Sequence, residues 1–323
     1  MVEGLGRSLL MHLASGGRGE VMKSTNEVVA RCEAGEISPP MALMELLMLT
    51  PDADVVGALV DELGRRSEGA AAMSDLFHEQ EGGCRRIADM LNAGVDRPPQ
   101  GATVEEGVAF CRTLFDWSVT QSEAASVALY SLGSPELLLA ATNEIVELLR
   151  GYGLLNPQTR VLDLGCGIGR MESALAAQVQ HIHGVDVSGE MVAAARRRTA
   201  GLSNVSVALS SGLDLQPLRD SSFDLMLAVD SFPYVMQAGW ELAVAMFREA
   251  ARVLRPGGEL LILSFSYRGN REQDQKDARA LADESGFELL VNGALPFRVW
   301  NGEVYRMRRG ELQSARHALS SRR

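Results

Sequence analysis

No stretch of this chain approaches the roughly 18 uninterrupted apolar residues that a membrane-spanning helix requires. Its four cysteines (Cys32, Cys84, Cys111 and Cys166) are scattered, with no CxxC pair and no adjacent histidine. That argues against a structural zinc site and against a disulfide framework, and favours a reducing, cytoplasmic setting. Lysine is almost missing, two residues against 29 arginines, which reads as coding bias. The N-terminal MVEGLGRSLLMHLASGG lacks the basic start and long apolar centre of a secretory signal. It is expected to be a frayed helix or a disordered lead-in.

What is present is enough to build a core. The 323 residues are 46% hydrophobic and 23% charged, which suits one large globular domain or two smaller ones. The net charge of −11 is unevenly spread: residues 1–150 carry 23 acidic and 11 basic side chains, residues 151–323 carry 19 and 20. An acidic N-terminal half repels a phosphate backbone, so nucleic acid is not the expected partner. The basic tail (Arg306, Arg308, Arg309, Arg316, Arg322, Arg323) reads as a solvated terminal face.

Residues from about 20 to 150 show only helical periodicity, in MALMELLML, DVVGALVDEL and VEEGVAFCRTLF. Breaks fall at Ile37–Pro40, Thr50–Asp52 and Arg97–Gly101. Thr50 and Thr103 are expected N-caps, the latter with Glu106 as a capping box. Ser134-Pro135 opens a helix running to about Arg150. The Met41, Met44, Met48 stripe is core filling.

Beyond residue 150 the texture changes. Strand-length apolar bursts (RVLDLG, HIHGVDV, VSVALS, FDLMLAVDS, GELLILSFS) alternate with helical stretches, the signature of a parallel sheet covered on both faces. A charged helix over about Glu272–Ser285 precedes two last strands, FELLVNG and EVYRMRR. Asn301-Gly302 signals a tight turn before the second of these. The expected fold is α/β, with a seven-stranded, mostly parallel sheet whose final pair is antiparallel.

The segment Val161–Arg170, VLDLGCGIGR, carries the chemistry. A glycine loop between a buried strand and a helix lets backbone approach a ligand and aims helix N–H groups at it. Gly165, Gly167 and Gly169 follow GxGxG, not the GxGxxG of a dinucleotide fold. Asp163 stands two residues before the first glycine, out of place beside a pyrophosphate but suited to a cationic sulfonium cofactor with an α-amino group. Asp186 ends the next strand, where a carboxylate can accept both ribose hydroxyls. Ser188 is a better cap than Asp186 for the helix that follows.

VLDLGCGIGR, GVDVSGEMVAAARRR, SSFDLMLAVDS and RVLRPGGELLIL resemble, in order and spacing, successive motifs of the class I S-adenosylmethionine-dependent methyltransferases. The resemblance covers about residues 155–310 and implies a Rossmann-like fold with S-adenosylmethionine as cofactor. It implies that Asp163 and the loop Gly165, Cys166, Gly167 and Gly169 hold the methionine portion, Asp186 the ribose, and Val187 and Met191 the adenine. Many members have Gly-Asp after the third strand; here Ser211-Gly212 stands instead. The role of that acid falls to Asp214 or to a backbone amide near Leu213. Asp230 and Tyr234, after the fourth strand, are expected to border cofactor and acceptor, and to be the candidate proton acceptor or orienter. Ser126–Leu138 resembles the entrance of small-molecule members, which makes Tyr130 a candidate contact for the cofactor carboxylate.

Methyl transfer from a sulfonium needs in-line positioning more than acid–base machinery. None of the five histidines (His12, His78, His181, His183, His317) is an evident base. His181 and His183 sit at the start of the second strand, away from the chemistry, and no metal site is expected. The chain thus divides into a helical region, 1–125, for a lid or a homodimer interface, and a methyltransferase domain, 126–323. The acceptor is expected to be a small molecule, methylated on O or N. A degenerate cofactor-binding scaffold, or a protein or peptide methyltransferase, are the alternatives. The PFRVW segment (Pro296–Trp300) is expected near the cofactor edge.

Overall fold

The computed structural model describes residues 18–93 and 101–310. The lead-in, the Pro98-Pro99 break, His12, His317 and the last three tail arginines lie outside them.

Eight helices precede the sheet: α1 (Arg18–Glu33), α2 (Pro39–Leu49), α3 (Ala53–Gly64), α4 (Glu68–Glu79), α5 (Glu81–Ala93), α6 (Val104–Gln121), α7 (Glu123–Val127) and α8 (Pro135–Gly151). Their starts follow side-chain chemistry. Ser38, Ser67 and Ser134 each accept a hydrogen bond from the third backbone N–H beyond, and Thr103 forms its capping box with Glu106. Thr50 differs from expectation: it ends α2, and Asp52 caps α3 by accepting from the amides of Asp54 and Val55. Pro51 holds the residue before it extended, which leaves Thr50 outside both helices.

The remainder alternates as β1 (Arg160–Leu164), α9 (Arg170–Leu175), β2 (His181–Asp186), α10 (Gly189–Arg198), β3 (Val205–Leu209), β4 (Phe223–Val229), α11 (Phe232–Ala238), α12 (Trp240–Val253), β5 (Leu254–Leu263), α13 (Arg271–Ser285), β6 (Phe287–Ala294) and β7 (Val304–Arg309). The sheet order is β3-β2-β1-β4-β5-β7-β6, with β7 antiparallel to both neighbours. Asn301-Gly302 makes no two-residue turn; a loop over 295–303 joins β6 to β7. Gly302 is there for another reason, since a Cβ on it would stand 2.4 Å from the Trp300 ring.

Side chains of the central strands alternate between two cores. Val161, Leu225, Leu227, Leu261 and Leu263 face α8, α9, α10 and the helical region. Leu162, Met226, Ala228, Leu260 and Ile262 face α12 and α13. Both faces are therefore covered, as the continuous apolar strands require. The carboxyl ends of β1, β2 and β4, on either side of the point where strand order reverses, form the one edge at which a crevice can open.

Candidate functional site

The turn after β1 is built for close backbone approach. Gly165 and Gly167 have φ of 72° and 53°, in the left-handed region. A Cβ on Gly165 would stand 2.4 Å from Ser231 Cβ, and one on Gly167 2.7 Å from Val127 Cγ1. Gly169, at φ 77°, starts α9 against Ala195. Cys166 is buried beside Gly184 and burial pushes its thiol up, so it fills space and is no nucleophile.

Two carboxylates flank this loop, as expected. Asp186 is 7% exposed and accepts from the Gly167 amide on one oxygen (2.9 Å) and the Ser188 amide on the other (2.9 Å). It thereby ties the glycine loop to the tip of β2 and keeps a free lone pair on each oxygen. Ser188, not Asp186, caps α10 by accepting from Met191 N. Asp163 is 2% exposed, and its Oδ1 has no hydrogen-bond partner. An orphaned buried carboxylate oxygen beside a bare glycine loop fits a ligand carrying a positive amino group. Burial raises its pKa to about 7, with the Arg170 charge opposing that rise.

On the side where the adenine is expected, Val187 and Leu213 belong to a small apolar cluster with Val108 of α6, and a Cβ on Gly212 would stand 2.6 Å from Val187 and 2.7 Å from Val108. Gly212 is thus the position where an apolar slot narrows. The amides of Gly212 and Leu213 are taken by the Ser210 and Ser211 hydroxyls (each 3.1 Å), and Asp214 Oδ1 accepts from Gln216 N (3.1 Å). Asp214 shapes its own turn. Met191 is 1% exposed within the core.

At the tip of β4, Asp230 takes φ 55°, a costly conformation for a residue with a Cβ. Its Oδ2 lies 3.9 Å from Arg170 and is buried without a hydrogen bond. Burial pushes its pKa to about 6, with Arg170 pulling the other way, so the group is a carboxylate at neutral pH that can accept a proton. Tyr234 packs edge-on against Phe115 of α6 (4.8 Å) and Tyr267 (5.6 Å), and burial pushes its phenol well up. A phenol held neutral in this way is suited to orient by hydrogen bonding and not to take up a proton.

Tyr130 is buried, stacks on Trp300 (5.5 Å) and accepts a long hydrogen bond from Arg170 (3.4 Å). Arg170 is the residue that sequence reasoning passed over. The first residue after the GxGxG loop, it is 7% exposed and brings together Tyr130 from the helical entrance and Asp230 from β4. Its position next to the last glycine was the available signal. The buried Glu172, one turn into α9, was missed as well. A cavity of about 460 Å³ opens on the far side of Arg170, between α7, α8 and α9. Val127, the last residue of α7, closes over Gly167, and neither it nor Gly165, Gly167 or Gly169 lines this cavity.

His181 and His183 face the same way and share the Ser206 hydroxyl (2.9 and 2.7 Å) at the opposite part of β2. Among the described residues no group of His, Cys, Asp or Glu is arranged to hold a metal. Nor is any described helix long and apolar enough to cross a membrane.

A parallel sheet with a glycine-rich first turn and acids at the tips of β1 and β2 defines a nucleoside-binding, Rossmann-like class of protein. Within that class, residues 161–258 match the family described as a methyltransferase domain. A demethylmenaquinone methyltransferase of Clavibacter sepedonicus is 33% identical over 153 residues, 47% of this chain and 57% of the relative. An S-adenosyl-L-methionine-dependent Diels-Alderase of Talaromyces variabilis is 30% identical over 151 residues, 45% of this chain and 50% of the relative. In structure, the Haemonchus contortus phosphoethanolamine N-methyltransferase 1 in complex with phosphoethanolamine and S-adenosylhomocysteine aligns at a TM-score of 0.52 with 16% identity, over 66% of this chain and 51% of that one. This last likeness is one of fold alone. The matched region spans little more than half of these relatives. The chain carries a domain of the class I S-adenosylmethionine-dependent methyltransferase family.

Proposed function

We propose that this protein transfers a methyl group from S-adenosylmethionine to an oxygen or nitrogen of a small-molecule acceptor. The observation that carries the reading is the pair of buried carboxylates, Asp163 and Asp186, at the tips of adjacent strands around a loop whose three glycines carry no side chain of their own. Asp163 supplies a buried carboxylate for an α-ammonium group. Asp186 is held by two backbone amides with lone pairs left for two ribose hydroxyls. A dinucleotide pyrophosphate would meet both negative charges.

The bound cofactor supplies an activated methyl on a cationic sulfur, with its own neutral leaving group. The protein's share is then positioning, exclusion of water and, for an acceptor that must lose a proton, a base. Asp230 supports the last role: it stands at the tip of β4, adjoining the β1 turn through Ser231, which donates to the Leu164 carbonyl (2.5 Å). Tyr234, Tyr267 and Phe115 form an aromatic wall beside it. Helix α6 lies over the edge of the cradle, with Arg112 donating to the Val187 carbonyl (3.2 Å) and Asp116 accepting from Ser188 (2.6 Å). The helical region therefore serves as part of the site's roof, and a small acceptor that enters beneath α6 suits this closure better than a folded protein does. The curated demethylmenaquinone relative supports a small acceptor.

A second reading has one specific observation in its favour, the relative named as a cofactor-dependent Diels-Alderase. In it the cradle holds the nucleoside while the chemistry involves no methyl transfer. Calorimetry with S-adenosylhomocysteine tests the cradle: wild type binds, and Asp186→Ala weakens binding by about ten- to a hundredfold, the worth of one or two charge-assisted hydrogen bonds. Incubating methyl-labelled cofactor with a metabolite extract separates the two readings. A labelled small molecule supports transfer, and intact cofactor with tight binding supports the second.

A further inference from the structure

Glu172 has no place in the functional reading above, yet it is the most deeply buried acid near the cradle. It sits on the third residue of α9 at 0% exposure, and neither carboxyl oxygen has a donor partner among the described residues. Its Oε1 fills the space that a side chain on Gly184 would take, 2.3 Å from the position of that Cβ. The groups facing it are acidic or neutral: Asp163 from β1, Asp186 from β2 and the Cys166 thiol from the glycine turn. Arg170 is the one cation nearby, and it faces Asp163 and Asp230. Gly184 is the register partner of Asp163 between β2 and β1, which sets the Glu172 carboxyl on the same face of the sheet beside the Asp163 carboxyl.

Two carboxylates cannot hydrogen bond, since neither has a hydrogen to give. Their contact in a water-free place requires that one keep its proton, as paired acids do elsewhere. Burial raises both, Glu172 well above the carboxylate range and Asp163 to about 7, and only Asp163 has Arg170 to stabilise its charge. The proton therefore resides on Glu172.

We propose that Glu172 is a positioning residue for the cofactor's amino group, donating a hydrogen bond to Asp163 and aiming the Asp163 carboxylate at the α-ammonium. The pair thereby presents one negative charge to one positive charge. The inference rests on the cofactor reading made above, and the test keeps the two apart.

The measurement is binding of two probes by calorimetry between pH 6 and pH 8. S-adenosylhomocysteine carries the amino acid; 5′-methylthioadenosine has the nucleoside without it. Wild type should bind the first more tightly as pH rises through about 7, where Asp163 gives up its proton, and bind the second with little pH dependence. Glu172→Gln keeps a neutral donor and should retain affinity within about twofold for both probes. Glu172→Leu removes the donor at similar volume and should lose about tenfold for S-adenosylhomocysteine, none for 5′-methylthioadenosine, with the pH midpoint moved upward. The proposal is overturned if Glu172→Gln loses as much as Glu172→Leu, because Glu172 would then act as an anion. It is equally overturned if both probes weaken together in Glu172→Leu, the mark of a purely structural role. Should Glu172→Leu fail to fold, Glu172→Met, which has nearly the shape of glutamine without its donor, takes its place in the same comparison. Failure of wild type to bind either probe would instead remove the cofactor reading itself.

Discussion

Asp230 concentrates several costs at one residue: a left-handed backbone, a carboxylate removed from water, and an arginine no nearer than 3.9 Å. Its acid is weakened on folding, from an ordinary Asp value near 3.9 to about 6. The native state then holds this proton more tightly than the unfolded chain does, so its ionisation opposes folding as pH rises from about 4 to about 6. Asp230→Asn removes that dependence. Chemical denaturation should show the variant's stability relative to wild type improving by about 1–3 kcal/mol between those pH values, whatever the constant offset. For catalysis the sign is opposite, because a proton acceptor is needed as the anion. Turnover should fall as pH drops through about 6 in wild type, and Asp230→Asn should lower it by roughly a hundredfold or more and abolish that limb. Tyr234→Phe should cost much less, under about tenfold in kcat, because a phenol that stays neutral can only orient.

Among the elements, α6 does the most to connect the helical region with the sheet. Its capping box starts it, Cys111, Leu114 and Val119 bury its inner face, and its polar residues Arg112 and Asp116 hold the β2–α10 turn that carries Val187 and Ser188. Thr103→Ala removes one reciprocal cap and should lower stability by about 1 kcal/mol in denaturant unfolding. Asp116→Ala acts differently. It frees Ser188 and the Glu190 amide, which it also accepts from at 3.2 Å, without touching the cradle's carboxylates. The expected result is weaker S-adenosylhomocysteine binding through a looser turn, by about three- to tenfold, with Asp186 intact. Unchanged affinity would separate α6 from the site.

Across the whole molecule, the loop over 295–303 ties the sheet to the helical region. Ser38, the cap of α2, donates to the Val299 carbonyl (2.6 Å), and Glu144 of α8 accepts from the amides of Arg298 (2.9 Å) and Val299 (3.0 Å). Trp300 inserts at 3% exposure between Phe297 and Tyr130. PFRVW is therefore a wedge bound to the helical region beside Tyr130, and not a free flap. Glu144→Ala should destabilise the protein by roughly 1–3 kcal/mol through two lost charge-assisted bonds. Because Tyr130 rests on this wedge, the same variant should also soften the contact with Arg170. The charge asymmetry of the chain is visible in the same assembly, with acidic helices closing over a sheet whose last strand is basic. Arg306 and Arg308 of β7, grouped in the sequence with a solvated tail, converge instead on the buried Glu259 of β5.

The local patterns were readable in the sequence because each rests on neighbours along the chain. An apolar run of strand length, a serine or threonine before a helix, three glycines in a turn and an acid two residues ahead of them all declare themselves within ten residues. They were sufficient for the seven strands, the antiparallel end, the glycine cradle and the two flanking acids. What they could not contain was anything decided by packing at a distance. Arg170 gains its meaning from Tyr130, 40 residues earlier, and Asp230, 60 later. Glu172 looks like an ordinary helix acid until Asp163 and Gly184 close around it and water is expelled. Gly302 suggested a hairpin turn when the real constraint was an indole ring. Protonation, orientation and burial depend on which groups the fold places together in a medium of low dielectric, and only the tertiary structure makes that choice.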